Sequence, residues 1–211
     1  MLWKEKLLRN SNLYLILDRD VADYDRLFTI AKESLGAGID IVQLRDKNGL
    51  ARDILDFSRR LLKLFKRRIP FIINDRIDLA LACGADGVHL GQEDIPLKVA
   101  QKMLPPKAII GISCQNLKDA QNAQRQGADY IGFGSVFKTL TKPNRRPMDL
   151  NLLTKVVKKI NLPVFAIGGI SLKNISLMRK IGVTRVAVCR EICFSSDARE
   201  ATATFKKSLE L

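Results

Sequence analysis

One histidine, four scattered cysteines and few aromatic residues restrict what this chain can do. Cys83, Cys114, Cys189 and Cys193 show no paired-ligand spacing, and Cys189 with Cys193 alone is too few for a zinc site. Reduced thiols in a cytosolic core are the default, so a cytoplasmic protein is expected. No apolar run approaches the length of a membrane span. The start, Met1 to Arg9, is charged and has no apolar core of a signal peptide, so neither membrane nor secretion is expected. An early Gly-x-Gly-x-x-Gly turn after the first strand-like run is missing, which weighs against an open doubly wound sheet. Aromatic residues do not interleave with the basic ones as a base-stacking platform requires, so nucleic acid is not an expected partner.

What is present is a basic chain of 211 residues with a net charge of +14. That length makes one large domain or two small ones, with ample core. The charge has three possible meanings: nucleic acid, attraction to phosphate-rich small molecules, or a solvated basic surface. The densest cluster, Arg59 to Arg68, keeps Leu61, Leu62, Leu64 and Phe65 at helical spacing. It therefore reads as the outer face of a packed helix.

Short apolar runs alternate with longer stretches of helical period along the chain. Strands are expected at 13–17, 39–44, 71–73, 87–90, 108–112, 130–133, 163–167 and 185–188. Helices are expected at 24–35, 50–67, 77–83, 97–104, 117–126, 150–160 and 172–181, with a mostly helical tail over 191–209. A weak repeat accompanies them. Gly38-Ile39-Asp40, Gly84-Ala85-Asp86, Gly127-Ala128-Asp129 and Gly182-Val183-Thr184 each end a helix, and a strand begins two residues later. These motifs precede every second strand. The even spacing argues for a single (β/α)8 TIM barrel over 1–211, with 1–10 as an N-terminal helical extension.

In such a barrel the active site is built from the loops at the strand C-termini. The third and fourth strands run into Asn74-Asp75 and Gly91-Gln92-Glu93-Asp94. Parallel neighbours would place both carboxylates on one rim, where they suit magnesium. Each aspartate also fits a helix cap. The second strand exits through Gln43, Arg45 and Lys47, which alternate and so share a face. Two cations there can clamp a diphosphate or simply be surface charge. Ser113 at the fifth exit can donate to phosphate or serve a turn, and Asn116 is the better cap for the next helix. The sixth exit, Gly134 to Pro147, is long for a connection. Such loops are lids, binding loops or disordered, and Thr139, Thr141 and Lys142 suit acidic ligands. At the seventh exit Gly168-Gly169 lets the backbone approach a ligand, with helix N-terminal amides to hold phosphate. His89, between Val88 and Leu90, reads as a satisfied structural histidine rather than a general base.

Together these exits resemble thiamine phosphate synthase. The resemblance is carried by Gln43-x-Arg45-x-Lys47, Asn74-Asp75-Arg76, His89 to Asp94, Gly111-Ile112-Ser113, Thr139-x-Thr141-Lys142-Pro143 and Ile167-Gly168-Gly169-Ile170. It spans Leu13 to about Ile192. It implies a transferase that joins 4-amino-2-methyl-5-hydroxymethylpyrimidine diphosphate to 4-methyl-5-(2-hydroxyethyl)thiazole phosphate, releasing diphosphate in a dissociative step. It further implies Mg2+ on Asp75 and Asp94. Arg45, Lys47, Asn74, Ser113 and Lys142 would hold the diphosphate, with Arg45, Ser113 and Lys142 the catalytic set. Gln43 would meet the pyrimidine. Thr139, Thr141, Gly168 and Gly169 would meet the thiazole phosphate. The partners implied are these small molecules.

One departure stands out. After the eighth strand the family usually presents a small hydroxyl residue, where this chain has Val188-Cys189-Arg190-Glu191. Arg190 is a substitute phosphate ligand or a mark of altered thiazole handling. Rival readings are a thiazole tautomerase on the same barrel, which resembles this chain less because Ser135 stands where a histidine is typical. Others are a different phosphate-binding barrel enzyme, which leaves the paired aspartates unexplained, and a basic nucleic-acid-binding protein.

Overall fold

The apolar runs pair with one another in sequence order and close on themselves. In the computed structural model, which describes residues 3–139 and 146–210, eight parallel strands form a closed barrel. They are β1 (Leu13–Asp18), β2 (Ile41–Arg45), β3 (Phe71–Asn74), β4 (Gly87–Leu90), β5 (Ile109–Cys114), β6 (Tyr130–Phe133), β7 (Val164–Ile167) and β8 (Val186–Val188). The helices are α1 (Trp3–Asn10), α2 (Tyr24–Gly36), α3 (Ala51–Phe65), α4 (Ile77–Cys83), α5 (Leu97–Met103), α6 (Leu117–Gln126), α7 (Leu150–Lys159), α8 (Ile175–Lys180), α9 (Arg190–Cys193) and α10 (Ala198–Glu210). This is the expected (β/α)8 barrel.

Three elements differ from expectation in ways that matter. Helix α8 begins at Ile175 rather than Leu172, because Asn174 turns back to bond Ser171 N and Gly169 O. The tail divides into α9 and α10. Helix α3 stops at Phe65 because Lys66 and Arg67 take positive φ, 48° and 58°. Its Ile54, Phe57, Leu61 and Phe65 are buried at helical spacing. Arg59 and Arg60 lie outside, paired with Asp56 and Asp25. The basic run is thus the solvated face of a packed helix.

The glycine repeats work as helix stops. Gly38, Gly84, Gly127 and Gly182 have φ between 74° and 86°, the left-handed region that favours glycine. The aspartate two residues on has its own task. Asp40 accepts from Leu13 N at 2.8 Å, Asp86 from Phe71 N at 2.9 Å and Asp129 from Ile110 N at 2.8 Å. Each carboxylate so satisfies an amide at the start of the preceding strand, a backbone group that cannot be left unpaired.

Side chains outside the sheet form one apolar shell against the helices, and those inside form a second. Helix α1 lies across the N-terminal mouth. Its Leu8 is buried with the interior cluster, and Lys4 pairs with Asp129 at 2.8 Å. The opposite, C-terminal mouth stays open.

Candidate functional site

The floor of the open mouth is aromatic. Tyr14, Tyr130 and Phe165 point inward from β1, β6 and β7, with Phe165 edge-on to both tyrosines at centroid separations of 5.4 and 5.6 Å. Edge-to-face pairs of this kind are worth about 0.5–1.5 kcal/mol beyond area burial. Above them lies a cavity of about 290 Å³, lined in part by Gln43, Arg45, Asn74, His89, Ser113 and Gly168. The polar atoms of this wall bond to one another. Gln43 Nε2 donates to Tyr14 Oη at 2.9 Å, and Tyr14 Oη meets Tyr130 Oη at 2.8 Å. His89 Nδ1 lies 3.0 Å from Tyr130 Oη and its Nε2 lies 2.9 Å from Ser113 Oγ. Burial pushes both phenols well up, so they keep their protons.

Arg45 sits where this cavity meets a smaller one of about 130 Å³. Its Nη1 is held by Asp18 at 2.8 Å and Asp20 at 3.0 Å. Burial works against the guanidinium charge, but those carboxylates outweigh it and hold Arg45 above its ordinary value. Asn74 and Ser113 also line both cavities.

The smaller cavity is the acidic one. Asp75 and Asp94 both line it, and the two carboxyls lie within hydrogen-bonding reach of each other. Burial, then the facing Asp94, push the Asp75 carboxyl up, while Lys47 pulls it down from 3.2 Å. Asp75 takes φ +60°, a left-handed conformation that aspartate tolerates better than most residues. Neither aspartate caps a helix: the residues at those positions are Arg76 and Pro96, with no side-chain cap. Asp94 instead accepts from Gly91 N at 2.6 Å. Among the described residues no three His, Cys, Asp or Glu side chains gather to hold a metal. Two facing carboxylates fit a cation that keeps water and takes phosphate oxygens for its remaining ligands, as magnesium does.

The loops expected to meet phosphate are built differently from expectation. Because α8 starts at Ile175, the amides beside Gly168 and Gly169 belong to a loop and not to a helix N-terminus. Both glycines have positive φ, 99° and 65°. The sixth loop docks on them, with Val136 N bonded to Ile167 O and Phe137 N to Gly168 O, each at 2.9 Å. A Cβ on Gly168 would come within 2.1 Å of Ser135 Oγ. Thr139 lines the large cavity, and Lys138, not singled out from the sequence, does so too. Thr141 and Lys142 lie outside the described residues. Arg190 also lines the cavity, with its guanidinium carbon 5.0 Å from the Phe194 ring centre and its buried Nε without a hydrogen-bond partner among the described residues.

Gln43, Arg45, Asn74, Ser113, Thr139, Gly168, Gly169 and Arg190 therefore share one cavity, and Lys47, Asp75 and Asp94 share its neighbour. Sequence reasoning passed over Tyr14, Tyr130, Asp18 and Asp20, and gave His89 a structural role only. The signal for Asp18 was a carboxylate closing an otherwise apolar strand.

The sequence profile of the family described as thiamine monophosphate synthase matches residues 13–192. A thiamine-phosphate synthase of Fusobacterium nucleatum is 37% identical over 202 residues, covering 95% of this chain and 98% of that protein. One of Prochlorococcus marinus is 42% identical over 206 residues, covering 97% of this chain; the chain spans 58% of that longer protein. The solved structure of a thiamine phosphate pyrophosphorylase from Pyrococcus furiosus superimposes with a TM-score of 0.86 at 37% identity, covering 98% of this chain and 97% of that one.

Proposed function

The chain belongs to the thiamine monophosphate synthase family, whose members condense a pyrimidine methyl diphosphate with a thiazole phosphate, and we propose that this barrel performs that condensation across its two adjoining cavities. The observation that carries the reading is the junction itself. Arg45, Asn74 and Ser113 line both cavities, and the acidic pair Asp75 and Asp94 lies on the far side of them. A substrate with an aromatic ring over Tyr14 and Phe165 would lay its diphosphate across that junction.

The bond to break joins the pyrimidine methylene carbon to a diphosphate oxygen. The electron pair leaves with the diphosphate, and the thiazole nitrogen then forms the new C–N bond. Such a step needs charge neutralised on the leaving group rather than a strong base. Asp75 and Asp94 would hold magnesium, which when bound would supply a Lewis acid toward the leaving group. Arg45 and Lys47 add positive charge, Asn74 and Ser113 donate hydrogen bonds, and Lys142 completes the set. Asp18 and Asp20 fix the Arg45 plane, so its remaining N–H groups are aimed before substrate arrives. The thiazole phosphate meets Thr139, Thr141, the loop amides beside Gly168 and Gly169, and Arg190, whose Nε has no hydrogen-bond partner among the described residues. The sixth loop excludes water, which would trap the pyrimidine cation. The whole of 1–211 acts as this one catalytic domain, in the cytoplasm. Among the described residues no helix is long and apolar enough to cross a membrane.

The test is direct. Purified protein given both substrates should make thiamine phosphate only when magnesium is present. Asp75→Ala and Asp94→Ala should each lose coupling by at least about 10²-fold while circular dichroism stays native. Full rate in either variant would remove the metal assignment.

A further inference from the structure

The line of hydrogen bonds in the cavity wall crosses the barrel from β2 to β5, through Gln43, Tyr14, Tyr130, His89 and Ser113. Diphosphate departure does not by itself require it. A barrel interior filled with apolar side chains avoids the cost of burying phenols and an imidazole, which is recovered only if every member is bonded. Two glycines make room for it. A Cβ at Gly111 would come within 2.0 Å of the Tyr130 ring, and one at Gly132 within 3.1 Å of His89 Cε1.

We propose that this line is a positioning relay: Gln43 sets its direction, His89 transmits it, and Ser113 is thereby held as a hydrogen-bond donor to the departing diphosphate. It rests on the condensation proposed above and adds a role for the ring that the coupling chemistry leaves idle.

The direction follows from counting protons. Each phenol has one to give. Tyr14 Oη accepts the Gln43 amide N–H, so its own proton goes to Tyr130, the other hydrogen-bond partner of that oxygen among the described residues. Tyr130 then gives its proton to His89 Nδ1. A neutral imidazole that accepts at Nδ1 carries its proton on Nε2. That N–H points at Ser113 Oγ, 2.9 Å away. Ser113 is left with its hydroxyl proton free of the wall, at the junction where an anionic leaving group would lie. Turning the Gln43 amide over reverses every bond. Ser113 would then give its proton to His89 and present lone pairs to the diphosphate.

Gln43 is therefore the selector. A ligand amine over this wall keeps the amide oxygen toward the cavity and the amide nitrogen toward Tyr14. A carbonyl at the same place rewards the opposite orientation. Recognition of an aminopyrimidine at one wall and assistance to its leaving group at the other become one event.

His89 is the chain's single histidine, so one pair of imidazole nitrogen signals reports on the relay. In protein labelled with nitrogen-15, the expected state is the Nε2–H tautomer, shifting toward Nδ1–H in Gln43→Leu. An Nδ1–H ring in the unaltered protein overturns the proposal. In steady-state kinetics, Tyr130→Phe, His89→Phe and Ser113→Ala should each lower kcat by about 10²-fold with little change in KM for the thiazole phosphate. The double variant His89→Phe with Ser113→Ala should be no slower than the worse single, and His89→Gln, which keeps a donor and an acceptor, should recover most of the rate. Additive losses, or full kcat in Tyr130→Phe, overturn the relay. Absence of coupling by the unaltered protein refutes the condensation instead, and the tautomer still decides the relay.

Discussion

Arg45 ties the proposed reaction to the fold in one side chain. Its guanidinium neutralises Asp18, which is fully buried, while its free edge faces the junction of the two cavities. Removing one partner of a buried pair leaves an uncompensated charge and costs about 3–5 kcal/mol. Arg45→Met is therefore expected to lower the urea midpoint as well as the rate. Adding Asp18→Asn should restore much of the stability and none of the activity. Recovery of both together would mean that Arg45 serves the fold alone. Asp75, Asp94, Arg45 and Lys47 were legible in the sequence because charged residues directly after apolar runs fall at strand exits whatever the detailed packing. Tyr14, Tyr130 and His89 were not. Parallel barrel strands are apolar on both faces, so nothing in Leu13 to Asp18 says which parity points inward, and a phenol there looks like any core aromatic.

At the scale of elements, the glycines separate two causes of strain. Gly84 and Gly168 both have positive φ, 74° and 99°. A Cβ at Gly84 meets open space, whereas one at Gly168 strikes the sixth loop at Ser135. Gly84→Ala is expected to cost about 1–2 kcal/mol from backbone strain, and Gly168→Ala more, with a raised KM for the thiazole phosphate as the loop is dislodged. Equal costs and an unchanged KM would leave the docking of that loop without consequence. Asp86, one of the repeat aspartates, makes a pH prediction. Burial pushes the Asp86 carboxyl up, against the pull of the Phe71 amide, Arg67 and Lys107. The folded chain then holds this proton more tightly than the unfolded chain. Its contribution to stability is full below the ordinary carboxylate value and is lost as pH rises through the raised one. Asp86→Asn has no proton to titrate, so the stability advantage of the natural residue should shrink as pH climbs through the acid range. A constant difference across urea titrations at several pH values would count against it. The helix-stop role of the glycines was readable from their spacing. The aspartates' bonds were not, because they cross to a strand that the chain left some twenty residues before, a distance read from pairs such as Asp40 with Leu13 and Asp129 with Ile110.

For the molecule as a whole, a net charge of +14 accompanies a barrel whose proposed substrates bear phosphate groups. The basic run on α3 is partly spent on Asp56 and Asp25. A net positive charge of this size attracts anions over a long range. At rising ionic strength kcat/KM is expected to fall for both substrates while kcat holds, because screening acts on encounter and not on the buried step. A flat kcat/KM would leave the charge to solvation alone. The barrel order itself was legible because eight apolar runs alternate with helices at even spacing. The exact start of α8 was not, since Asn174 chooses a tight turn over another helical residue for reasons that lie in Gly169.

The carboxylates of Asp40, Asp86 and Asp129 each latch the strand that follows them to the one before: β2 to β1, β4 to β3, β6 to β5. Six of the eight staves are thereby joined in three pairs, each with its own fastening, while the pair β7 and β8 has Thr184 at the matching place. A polypeptide severed in the turn between α5 and β5 keeps every latch within one fragment, and two such fragments should reassemble on mixing. A cut between β5 and β6 puts Ile110 and Asp129 on different pieces, so one latch has to form again between two separate chains.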